Sequence, residues 1–207
     1  MLTAFARLSI IAVSLASFSL AQNAALPPTA GPIAGTMLLA PNPPITAAGR
    51  VHWLLVENLA PASLLENVAI GAEQTETNSP WEYGPHWTGF AKRVGMVTAN
   101  YGVKTTMEAG LGSIWGEDPR YDRAEVGSPF TSRLGHVVKM AFFARNANGD
   151  IMPGYARFMA FSGSNFLENT WMPDSQSSPS DAAVRTGVAY LSRMAENAYK
   201  EFIARRH

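Results

Sequence analysis

Between Pro85 and Pro119 runs a proline-free stretch with a small residue at every seventh position: Thr88, Gly95, Gly102, Ala109 and Gly116. A second series, Ala91, Thr98, Thr105 and Gly112, is offset from the first by three or four residues. At helical periodicity both series fall on one side of a long helix, giving a smooth face where another helix can come close. Gly95, Gly102, Gly110 and Gly112 together cost such a helix roughly 3–4 kcal/mol relative to alanine. That is a large fraction of the stability of a typical domain. The helix must recover it through close helix–helix contact, or else not be continuous.

The same spacing is used where helices pack in lipid. For Val94 to Trp115, eight apolar side chains contribute about −4 kcal/mol on the insertion scale. Lys104 and Glu108 cost about +3 kcal/mol each on that scale, so independent insertion is unfavourable. The expectation is close packing inside a bundle. Self-association through the seam, or a groove that meets a membrane, is the alternative.

The rest of the chain fits one domain. It has 207 residues, 47% of them hydrophobic and 15% charged, enough for a sizeable core. The formal net charge is zero, so no long-range field recruits nucleic acid, and no nucleic-acid partner is expected. There is no cysteine, which excludes disulfide staples, lipobox acylation and thiol chemistry. His52, His86, His136 and His207 are far apart in sequence, so no metal site and no cofactor are expected.

Residues 1–21 read as a secretory signal. Arg7 precedes the apolar run Leu8 to Leu20, and Ser19-Leu20-Ala21 suits a signal peptidase. An uncleaved anchor is the alternative. Removing residues 1–21 leaves 15 Lys+Arg against 16 Asp+Glu, a net charge of −1. Residues 22–45 carry Pro27, Pro28, Pro32, Pro41, Pro43 and Pro44 and read as an extended tether.

The remaining residues, 46–207, read as an all-α, single-domain helical bundle around the long small-residue-rich helix. Val51, Leu54, Leu55 and Leu59, then Leu64, Leu65, Val68 and Ala69, keep helical spacing on either side of a break at Pro61. Ser79-Pro80 and Pro85 are rival starts for the long helix, and Pro119 is its expected end. Phe130 to Ala144 reads as a helix burying Leu134, Val137, Val138, Ala141 and Phe142. Residues 146–150 form a turn, and Tyr155 to Trp171 is read as helix, with strand as the alternative. Ser178-Pro179-Ser180-Asp181 starts a last amphipathic helix marked by Val184, Val188, Leu191, Ala195, Ala198 and Phe202; Lys200, Arg205 and Arg206 suit its C-terminal end. Trp81, Trp87, Trp115 and Trp171 stand near helix ends. Such aromatics mark a membrane interface or plug the ends of a bundle, and plugging is the expectation.

No sequence feature names a reaction, and whether the chain is an enzyme stays open. The candidate site is the charged run Glu117, Asp118, Arg120, Tyr121, Asp122 and Arg123, with His136 and Arg145 added. Three carboxylates in six residues suit general acid–base work or a hard cation. Interleaved with arginines, they equally suit a salt-bridged clamp at the end of the long helix. His136 is expected to be a polar group satisfied at a helix interface.

Gly89-Phe90-Ala91-Lys92-Arg93-Val94-Gly95, the Glu117–Arg123 run, Arg145 before an Asn/Gly loop, and Asn169-Thr170-Trp171-Met172-Pro173 occur in that order. Together they resemble a family of uncharacterised exported bacterial proteins with an E-D-P-R-Y-x-R motif, over roughly residues 84–205. The resemblance implies export and this organisation but no mechanism. Related chains end in an aromatic-acidic segment, from which Phe202-Ile203-Ala204-Arg205-Arg206-His207 departs.

The function expected is therefore a structural or interaction role in the cell envelope, periplasmic or associated with the outer membrane. Its partner would be an envelope protein, a membrane surface or a second copy. The alternative is a hydrolase or a lipid- or small-ligand-binding protein using the Glu117–Arg123 segment.

Overall fold

The computed structural model describes residues 43–125 and 127–204. The signal segment, most of the tether, and Arg205 and Arg206 lie outside the described residues. Among the described residues are six α-helices and one three-stranded sheet. The all-α reading holds, with the sheet as a small addition at one end.

Helix α1 spans Ala47–Leu59 and starts where the Thr46 hydroxyl accepts from Gly49 N at 3.0 Å. Pro61 breaks the chain as its missing N–H requires: Ala60 is extended, and α2, Pro61–Glu76, starts afresh with proline in its first turn. Residues 81–83 form a 3₁₀ turn, and the long helix α3, Trp87–Trp115, begins after Pro85 rather than at Ser79-Pro80. It stops at Gly116, whose φ of 72° is left-handed, so Gly116 ends the helix and Pro119 lies beyond it.

Strand β1, Glu117–Asp118, pairs antiparallel with β2, Phe143–Asn146, and β2 pairs with β3, Ile151–Pro153. Helix α4 spans Phe130–Phe142, so the sequence-based helix ends two residues early, where Phe143 turns extended. Asn146 Oδ1 accepts from Asn148 N and Asp150 N, closing the expected turn. Helix α5 is Tyr155–Glu168, and α6 is Pro179–Phe202 with a full capping box between Ser178 and Asp181.

Cross-helix contacts set the order. Arg50 meets the Glu117 carbonyl, Asn58 meets Thr105 and Asn67 meets Thr98, so α1 and α2 run antiparallel to α3. Arg157 meets Glu108 and Glu168 meets Asn100, so α5 is antiparallel to α3 as well. Helix α6 packs beside α5, and α4 lies on α6, with Phe130 on Phe202 and Phe142 on Tyr190.

The small-residue seam is split. Thr98, Thr105 and Gly112 face the first two helices; a methyl on Gly112 would stand 2.9 Å from Arg50 Nη1 and 3.2 Å from the Glu117 carbonyl. Gly89 lies against the 83–84 backbone, with a built Cβ 2.5 Å from the Tyr83 carbonyl. Gly95 and Gly110 point outward with nothing within 4 Å. Only part of the seam is therefore a packing surface inside this chain.

The core differs most from expectation. Leu134, Val138 and Phe142 are 42–46% exposed, while Val137 and Ala141 of the same helix are buried. On α6, Val184 and Leu191 are exposed, and Ala182, Arg193, Asn197, Tyr199 and Glu201 are buried. Val51, Leu55, Leu59, Leu64, Leu65 and Val68 face outward too. On α6 the polar and small face is the one packed inside, whereas α4 buries Val137, Met140 and Ala141.

Candidate functional site

Seven of the eight residues singled out by sequence gather at the Gly116 end of the bundle with named partners. The Glu117 carboxylate accepts from Ala156 N at 2.9 and 3.0 Å, capping the first turn of α5. Burial pushes the Glu117 carboxyl up, and the Ala156 amide opposes that rise. Asp118 receives Arg120 as a fork, Nε to Oδ1 at 3.0 Å and Nη2 to Oδ2 at 2.6 Å. Asp122 pairs with Arg145, which also donates to the Gly149 carbonyl at 2.6 Å. His136 Nε2 lies 2.8 Å from the Asp122 carbonyl oxygen, so the ring is satisfied at an interface.

Glu201, missed by sequence, organises this end. Its carboxylate receives Arg133 Nε at 2.6 Å, Tyr121 OH at 3.1 Å and Ala124 N at 3.1 Å. Burial opposes its ionisation, but Arg133 and the other donors hold the Glu201 carboxyl below the usual carboxylate range. Burial and Glu201 push the Tyr121 phenol up, and Arg123, the eighth residue, counters this from nearby. The carboxylates of the charged run thus serve as caps and clamps. Their geometry sets no free acid–base pair around a common point.

A second charged cluster fills the middle of the bundle. Glu108 Oε1 receives Arg157 Nε at 3.0 Å and Arg193 Nη2 at 2.7 Å, all three side chains being buried. Arg157 also donates to the Met140 and Phe143 carbonyls at the end of α4, groups with no partner within the helix. Arg193 reaches Glu196 at 3.1 Å; Lys200 pairs with Glu196 and stands 4.0 Å from Glu57; Tyr101 OH donates to Glu57 at 3.0 Å. Lys104 lies over the Tyr101 ring at 4.0 Å. Among these groups is a cavity of about 50 Å³. At roughly 10–15 Å³ per water-sized probe it holds a few waters and no organic substrate.

At the other end, Arg93 has no exposed surface and donates to the Ser79, Gly84 and Pro80 carbonyls at 3.0, 2.7 and 2.7 Å. It ties the 78–84 loop to α3. Near Trp171, Asn165 donates to the Phe161 carbonyl and Asn169 to the Ser178 carbonyl.

The exterior is the converse of the interior. Of the charged side chains described, only Glu76, Lys92, Glu125, Lys139, Asp150 and Asp174 are exposed, and only three of these stand on helices. Large apolar side chains are exposed on all six helices, among them Leu55, Leu65, Ile114, Val138, Phe158 and Leu191. Trp81 and Trp87 are 68% and 77% exposed, so these tryptophans do not plug the bundle. Lys, Arg, Glu and Asp are ordinarily the outermost residues of a domain, and large exposed apolar areas mark contact surfaces.

Among the described residues no helix is long and apolar enough to cross a membrane. No group of three or more metal-ligating side chains occurs among them either. Compared with known proteins, the chain matches no family model, no curated protein and no solved structure.

Proposed function

We propose that this chain is an exported cell-envelope protein with a structural or interaction role performed by its outer surface. One observation carries the reading: most described charged side chains are buried or half-buried, many paired to one another, while large apolar side chains are exposed on every helix. The signal pattern of residues 1–21 and the resemblance to exported proteins support the location. Self-association through the outward part of the seam belongs to the same reading.

Cell fractionation with mass analysis of the mature chain tests it. The expected result is an envelope fraction holding a chain cleaved near Ala21. An uncleaved chain in the cytoplasm would contradict it.

A second reading, small-ligand binding, is favoured by a specific feature at the Glu117 end. A cleft of about 320 Å³ is lined by Ile45, Ala47, Arg50, Ser113, Asp118 and Asn146. Arg50 Nη1, buried beside Gly112, has no hydrogen-bond partner among the described residues. A guanidinium in that position suits a small carboxylate or phosphate. A thermal shift with acetate or phosphate that disappears in Arg50→Met would support it; no shift with either anion would remove it.

A further inference from the structure

The outward apolar side chains raise the question of what covers them. We infer that the occupant is the hydrocarbon of a lipid bilayer, entered by the bundle as one unit. This rests on the envelope reading above and names the partner.

The distribution of the side chains argues for it first. They stand along five helices, with Val51, Leu55 and Leu59 on α1, Leu65 on α2, Val138 on α4, Phe158 on α5 and Leu191 on α6, while on α3 Trp87, Ile114 and Trp115 are exposed at its two ends. A second copy of the chain would cover one flank of such a ring, whereas a solvent of hydrocarbon covers all of it. The height of the band agrees. Measured along the continuous helix α3, from Gly112 beside Arg50 to Thr98 beside Asn67, the rise is about 21 Å, most of the roughly 30 Å of a hydrocarbon core. Arg50 and its contact with Glu117 lie just beyond one edge, together with Trp115 and Tyr155, which are exposed. Exposed Trp171 stands beside Asn100 toward the other edge, and Trp87 lies past it. Tryptophan and tyrosine at both margins of an apolar band suit the two interfaces of a bilayer.

The interior agrees as well. Charged groups inside a membrane must face the bundle interior and pair with one another. Glu108 with Arg157 and Arg193, and Glu168 with Arg185, meet that condition; Lys92 and Lys139 are exposed on helices, and their long side chains must reach an interface. This inward arrangement also explains why no single helix among the described residues has the hydropathy of a span: averaging along a helix mixes its inward polar stripe with its outward apolar one. Backbone hydrogen bonds are satisfied within the helices, as hydrocarbon requires.

The absence of cysteine makes the test direct. Leu65→Cys, Phe158→Cys and Leu191→Cys probe the band, while Asp150→Cys and Asp174→Cys probe loops at opposite ends. Each variant is expressed as the full chain, its helix content is checked by circular dichroism, and membranes are treated with a water-soluble maleimide. The expected result is labelling of at least one loop position, with band positions labelled at least tenfold more slowly until detergent is added. Band positions labelled as fast as the loops would overturn the inference. So would slow labelling of the band in protein that stays soluble without membrane or detergent, which would put a second copy there. Either outcome in a correctly exported protein leaves the envelope reading intact; a cytoplasmic chain fails that reading instead.

Discussion

At the scale of single residues, a few buried charges hold the described helices together. Glu108 neutralises two buried guanidiniums, one 49 and one 85 residues away in sequence. Replacing it by glutamine leaves both arginines underpaired, and a loss of about 3–5 kcal/mol is expected in denaturant or thermal unfolding. An unchanged midpoint would show that the triad contributes little. The charge of Glu108 was legible in the sequence as an expense inside a small-residue helix. Its partners were not, because separations of that size leave no periodic trace. The glycines divide in the same way. Gly95→Ala meets open space and is expected to raise stability by up to about 1 kcal/mol, whereas Gly89→Ala meets backbone carbonyls and lowers it. Equal shifts in melting temperature for the two would contradict that division.

At the scale of elements, the end of α6 is docked by Glu201 onto the 121–124 segment and α4. The folded carboxyl of Glu201 sits below its unfolded value, so its contribution is complete above the unfolded value and is lost as pH falls through the folded one. Melting temperature measured from pH 6 down to pH 3 is expected to fall less steeply in Glu201→Gln than in the parent chain. Identical slopes would assign the clamp no ionic part. Helix positions were largely readable: Thr46, Pro61 and the Ser178–Asp181 box all act as their chemistry requires. Gly116 was read as a seam member rather than a stop, since only its left-handed backbone shows that role. The burial of α4 was read correctly at Val137 and Ala141 and wrongly at Leu134, Val138 and Phe142, and on α6 Val184 and Leu191 are exposed where burial was expected. A 3.6-residue period says which side chains travel together and is the same whether that face meets protein, water or lipid.

At the scale of the whole molecule, charge inside and apolar surface outside form one arrangement. The Glu117–Arg123 run was legible as a clamp, but its partner Glu201 and the central Glu108 cluster arise only when α3, α5 and α6 come together. If the outer band meets hydrocarbon, a single carboxylate there is costly. Leu65→Glu is expected to add roughly 2–3 kcal/mol to the cost of insertion and to shift protein from the carbonate-resistant membrane pellet to the supernatant. The same change on a water-facing helix would leave the distribution untouched.

The most direct measurement is tryptophan fluorescence of the full chain in vesicles of lipid brominated along the acyl chain. Trp81, Trp87, Trp115 and Trp171 are exposed, and Trp53 is buried. The expected result is strong quenching relative to unbrominated vesicles, deepest for bromines placed near the headgroups. Emission unchanged by bromine at every depth would contradict the seating of the apolar surface in a bilayer.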